Sequence, residues 1–138
     1  MMIILYCASG VIFIMLILIA RSHKFMTIVS IAHSIVSMGI TFYLLYFSSL
    51  PAYYLSNRYV FIDHLGLYET IINWTIFLLA SIYAEGYMEH LLATSKFYRR
   101  NLKMFYAAFN LLPITIMFAF FSNNLALFWV LVELTTLI

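Results

Sequence analysis

Five long apolar stretches, each ended by a short polar one, set the pattern of this chain. Met2 to Ala20 is nearly unbroken apolar and ends at Arg21, Ser22, His23 and Lys24. Met26 to Phe47 follows, interrupted only by small polar residues and His33. Ser56 to His64 reads as a short polar connection into Leu65 to Tyr87, and Leu102 to Phe121 makes the fourth run. Asn123 and Asn124 then turn the chain into a final apolar stretch. A helix rises about 1.5 Å per residue, so runs of roughly 20 apolar residues match a hydrocarbon core about 30 Å thick. The pattern predicts an all-α polytopic membrane protein. Its four complete transmembrane helices fall at roughly 2–20, 26–48, 65–87 and 102–121, with an incomplete fifth from about 124. From Asn123 to Ile138 a helix reaches only about 24 Å, which reads residues 1–138 as one transmembrane segment truncated within that fifth helix.

Composition agrees with a bilayer as solvent. Of 138 residues, 66% are hydrophobic and only 9% charged, against about 25% charged in soluble domains. The first run reads as a retained transmembrane helix rather than a cleavable leader, because its positive charges follow the apolar stretch and no small-residue cleavage site is evident. A single cysteine, Cys7, excludes a disulfide framework and builds no metal site alone. The net charge of +2 is too small to point to nucleic acid. With no glycine-rich phosphate loop, no nucleophile beside a base and no metal-ligand cluster, the residues predict neither cofactor nor covalent catalysis.

The polar residues inside the apolar runs therefore carry the argument. Ser30, Ser34 and Ser37 recur at helical spacing, a pattern that lets membrane helices approach closely. His33 has two readings, a member of a proton relay or a histidine hydrogen-bonded to a neighbouring helix. Tyr43, Tyr46, Tyr53 and Tyr54 around Pro51 match an aromatic belt at the water boundary. Asp63 is placed to cap the third helix. Glu69 and Asn73, four apart on one face of it, either favour the helix's positive end or line a hydrated entrance. Glu85, Glu89 and His90 followed by Lys96, Arg99, Arg100 and Lys103 read as a solvated, salt-bridging turn, and Pro113 predicts a kink in the fourth helix. Glu133 is the sole ionisable residue of the last run, roughly 14 Å along a helix begun near Asn124 and close to the midplane.

Charge bias sets an orientation. The loops after the first and third spans hold Arg21, Lys24, Lys96, Arg99, Arg100 and Lys103, whereas the loop after the second holds only Arg58. Basic loops stay cytoplasmic, which puts the N-terminus outside and runs the Glu133 helix inward.

Three segments resemble one family: Phe61-Ile62-Asp63-His64-Leu65-Gly66-Leu67-Tyr68, Ser81-Ile82-Tyr83-Ala84-Glu85-Gly86-Tyr87-Met88, and Asn124 through Leu137 with its Glu133-Leu134-Thr135-Thr136-Leu137 ending. They are similar to the N-terminal part of the antiporter-like membrane subunits of respiratory complex I, the Mrp sodium/proton antiporters, and the F component of hydrogenase-4 and formate hydrogenlyase. The ending most resembles the hydrogenase branch. The resemblance implies proton or sodium translocation in the inner (cytoplasmic) membrane, coupled to redox chemistry in partner subunits of a hydrogenase or complex-I-like assembly. It gives Glu133 the place of a mid-membrane glutamate that pairs with a lysine on a later helix; Glu69 and His33 stay possible entry or relay residues on their own pattern. The later helices lie beyond residue 138, so either another polypeptide supplies them or the chain is an inactive remnant. A small membrane assembly or anchor protein is the alternative.

Overall fold

The computed structural model describes residues 2–47, 50–54, 59–94 and 99–138, without the side chains of residues 2, 3, 52–54 and 99. Arg58 and Lys96, both counted in the charge bias, lie outside the described residues, as do the side chains of Tyr53, Tyr54 and Arg99 and the end of the second span at 48. Five helices and a small hairpin follow one another: α1 (Met2–Ile19), α2 (His23–Phe47), β1 (Ala52–Tyr54), β2 (Val60–Ile62), α3 (His64–Ala93), α4 (Arg99–Phe120) and α5 (Leu125–Leu137).

Among the described residues, three helices are both long and apolar enough to cross a membrane: His23–Phe47, His64–Ala93 and Arg100–Phe120, with mean hydropathies of 1.8, 1.4 and 1.5. The 30 residues of α3 reach about 45 Å, well past a 30 Å core. The helix therefore continues beyond the expected end at Tyr87 and carries Glu89 and His90 within its last turns. α4 begins at Arg99, ahead of the expected 102, and runs unbroken through Pro113.

Helices α1 to α4 pack together, and α5 lies against α4. The interior has three layers. At one end Ile17, Ala20, Met26, Val29, Met88, Leu102 and Tyr106 form an apolar cluster. At the other, Tyr6, Leu44, Leu67, Trp74, Ile114, Met117 and Phe121 form a second, closed by Val60 and Ile62 of β2. Between them lies a buried polar waist of Ser30, His33, Ser34, Ser37, Asn73 and Asn110. Outside, rows of Ile, Leu, Val and aromatic side chains are exposed. This inverts a soluble protein and suits hydrocarbon as the outer solvent, where apolar burial drives nothing and polar groups serve as glue. Gly10 lets α1 and α4 come together in this region, since a Cβ there would sit 2.5 Å from Ile114 Cδ1.

The stretch expected as a plain polar connection, Ser56 to His64, instead contains β2. It pairs antiparallel with β1 in the register Ala52↔Ile62, Tyr53↔Phe61, Tyr54↔Val60. Alternation of buried Val60, half-buried Phe61 and buried Ile62 places one face of the strand on the bundle. The other edge of β2 holds the α4–α5 turn: Phe61 N–H donates to Phe121 O at 2.9 Å, and Asn123 N–H donates to Tyr59 O at 2.8 Å. Caps then start the neighbouring helices. Asp63 accepts from Gly66 N at 2.8 Å to open α3, as its position predicts, and Asn124 accepts from Leu127 N at 3.1 Å to open α5.

Candidate functional site

Three ionisable residues inside apolar helices were the candidates, and the structure places them in three different surroundings. His33 sits in the waist, 1% exposed, with Nδ1 2.9 Å from Asn110 Oδ1. Asn110 Nδ2 donates to Ser30 Oγ at 2.7 Å and to Tyr106 O at 2.8 Å. With both amide protons used, Oδ1 is the acceptor, so the hydrogen-bond network assigns the proton of neutral His33 to Nδ1 and leaves Nε2 bare. One turn away Thr27 Oγ1 and Tyr106 OH meet at 2.7 Å. A line of hydrogen-bonding groups thus joins α2 to α4 from Thr27 to His33. The imidazole stacks on Phe13 at 4.9 Å between centroids and meets Trp74 edge-on at 5.1 Å. His33 Nε2, Ser37 Oγ and Trp74 Nε1 are buried without a protein partner. The structure favours the second of the two readings for His33, a histidine bonded to a neighbouring helix.

Glu69 is half-buried at the rim of a groove of about 380 Å³ between α3 and α4, lined by Ile72, Asn73, Ile76, Phe77, Ile116 and Phe120. Asn73 shares that face, as its spacing predicts, but Nδ2 turns inward to donate to Pro113 O at 2.9 Å. Because α3 starts at His64, Glu69 falls in the second turn, beyond the first turn where the helix dipole acts. That weakens the dipole reading and leaves a carboxylate facing a mostly apolar groove.

Glu133 is exposed on α5, a helix with no buried residue. Asn124, Leu127, Leu131, Thr135 and Ile138 are the half-buried positions, a stripe at helical spacing that faces α4. Glu133 lies two residues from Leu131 and from Thr135, about 200° around the helix from each at 3.6 residues per turn. It therefore points away from the bundle, and among the described residues its carboxylate has no partner. Neither Glu69 nor His33 is brought to it.

The expected salt-bridging turn falls partly on Lys96 and the side chain of Arg99, which lie outside the described residues. Among the described residues no ion pair joins Glu85 or Glu89 to the bases across it; Lys103 Nζ instead donates to Leu18 O at 2.6 Å, where α1 ends and carbonyls lack helical partners. Nor do three His, Cys, Asp or Glu side chains gather as metal ligands among the described residues. The Asn110–Tyr106–Thr27 chain escaped the sequence reading, although Asn110 and His33, each a strongly polar residue at mid-run, were the available signal.

The fold is all-helical, with three helices among the described residues long and apolar enough to cross a membrane, an internal polar waist and a last helix that rests mainly on α4. No protein-family model matches the chain, and no curated protein matches it.

Proposed function

We propose that the chain is a membrane subunit, or the N-terminal part of one, in a proton- or sodium-translocating oxidoreductase complex of the hydrogenase-4 or complex-I kind, and that Glu133 is its ion-translocating residue. One observation carries this reading: the only ionisable side chain of α5 points away from the chain's own bundle. A carboxylate at that depth costs at least about 2–3 kcal/mol against hydrocarbon, so it calls for a basic partner or a hydrated path from other membrane subunits. Its proton affinity then rises when it is alone in apolar surroundings and falls when a cation approaches, which couples movement of a partner charge to proton uptake and release. Glu69 in its groove is the candidate entry residue, and His33 a relay only where its bare Nε2 gains a donor.

On this proposal α1 is the fourth span, its 18 residues reaching about 27 Å. The chain sits in the inner membrane with its N-terminus outside, as six basic residues against one favour. Cysteines introduced at residues 22–24 should label from the cytoplasmic face; labelling only from outside reverses the orientation. In the assembled complex, Glu133→Gln keeps shape and hydrogen bonding but removes titration. Proton uptake in vesicles should then fall severalfold relative to redox turnover, while Glu133→Asp retains part of it. Wild-type pumping by Glu133→Gln would reduce Glu133 to a packing residue.

A second reading, a small assembly or anchor protein, draws on the α1–α4 bundle. Most of its waist is hydrogen-bonded internally, and its outer surface offers apolar rows to neighbouring helices.

A further inference from the structure

The groove between α3 and α4 has two unlike ends. Glu69 stands at one, five residues from the first residue of α3 and so about 8 Å along it. That end lies beside the hairpin: a Cβ on Gly66 would meet ring atoms of Phe121 at 3.3 Å, and Phe120, the last residue of α4, lines the groove. From Glu69 the lining continues through Ile72 and Ile76 to Phe77, whose ring meets Phe109 of α4 edge-on at 5.3 Å. The eight-residue step from Glu69 to Phe77 gives a length of about 12 Å. No basic side chain lines the groove, and among the described residues the Glu69 carboxylate has no partner. Asn73, one turn on from Glu69, gives its amide nitrogen to Pro113 O and adds no charge.

We infer that this groove seats one acyl chain of a phospholipid whose headgroup carries a primary ammonium, with the ammonium on Glu69. Depth supports the match. The 30 residues of α3 reach about 45 Å, close to the thickness of a bilayer with its headgroup layers, and a helix centred there keeps about 7 Å at each end among the headgroups. Glu69 thus stands where headgroups give way to hydrocarbon, and the groove runs inward from it. Charge supports the match too, because a carboxylate bordering hydrocarbon calls for a cation, and an ammonium brings three donors to its oxygens. So does calibre. About 380 Å³ over about 12 Å leaves a cross-section of about 32 Å², well under that of a helix about 10–12 Å across. A single hydrocarbon chain fits that width and a whole helix does not. The inference needs only a bilayer and does not rest on ion translocation.

The test uses the full chain purified in detergent. Its thermal midpoint is titrated against phosphatidylethanolamine, and against phosphatidylglycerol of the same acyl chains, which has no ammonium. Phosphatidylethanolamine should raise the midpoint saturably, at a concentration about 10-fold below any effect of phosphatidylglycerol, as one charge-assisted hydrogen bond allows. Glu69→Gln should remove that preference, bringing the two lipids within about twofold of each other, while Glu69→Asp retains part of it. Glu89→Gln, exposed towards the far end of the same helix, should leave the preference unchanged. Ile76→Trp fills the apolar run and should weaken phosphatidylethanolamine without touching the carboxylate. Equal responses to the two lipids in the wild type, a loss of preference in Glu89→Gln as large as in Glu69→Gln, or wild-type affinity in Ile76→Trp would each overturn the assignment. No saturable lipid response would overturn it as well, and self-association lost in Ile76→Trp would then give the groove to a second copy of the chain.

Discussion

His33 and Glu133 are both titratable residues in apolar helices, and the chain treats them oppositely. His33 is held between aromatic rings, bonded to Asn110 on α4, and enclosed by the waist. Glu133 is on the far face of a helix whose contact stripe runs through Leu127, Leu131 and Thr135. The difference separates two uses of polarity in a membrane. One joins helices of the same chain; the other has no partner among the described residues. Packing thus supports a structural role for the histidine, for which the sequence had left a relay reading open, and gives the glutamate no such role within the bundle.

That contrast can be broken by measuring which polar groups stabilise the chain itself. The largest effect should come from Asn110→Leu, which strips the partner from His33 Nδ1 and Ser30 Oγ at once. A loss of about 1–3 kcal/mol in reversible unfolding in detergent is expected, and a neutral result would mean the waist is not what joins α2 to α4. Asp63→Ala removes the cap of α3 and should cost about 1 kcal/mol, with the early α3 amides exchanging faster while α5 amides do not change. Smallest of all should be Glu133→Gln in the isolated chain, within about 0.5 kcal/mol of wild type, as for any surface substitution. A marked loss there would show that Glu133 already has a partner inside the chain and would erase the contrast.

Much of the helical order was legible because hydrocarbon-length apolar runs admit few other folds, Asp63 stood where a cap is needed, and Asn123 and Asn124 marked the turn into the last helix. The serine spacing on α2 likewise predicted the face that became buried. The hairpin was not legible. Three-residue strands are too short for an alternating pattern to stand out, and β2 is held partly by the backbone of residues 121–123, distant in sequence. Nor does periodicity say which of several mid-run polar residues will meet. His33 finds Asn110, 77 positions away, through the way α2 crosses α4. For Glu133 the position along its helix was readable, but direction was not, since an evenly apolar helix has no polar face to reveal which side packs.

The clamp between β2 and the α4–α5 turn gives α5 a mechanical character. Two backbone hydrogen bonds, from Phe61 to Phe121 and from Asn123 to Tyr59, pin its base to the strand, while the remainder rests on α4. A rod fixed at one end and leaning mainly on one neighbour would pivot more easily than slide. Glu133 lies eight residues from the first residue of α5, about 12 Å from that pivot, so a tilt of about 10° sweeps its carboxylate by about 2 Å. A helix seated against the far face of α5, as the proposed function requires, would work on a lever arm with the hairpin as its fulcrum.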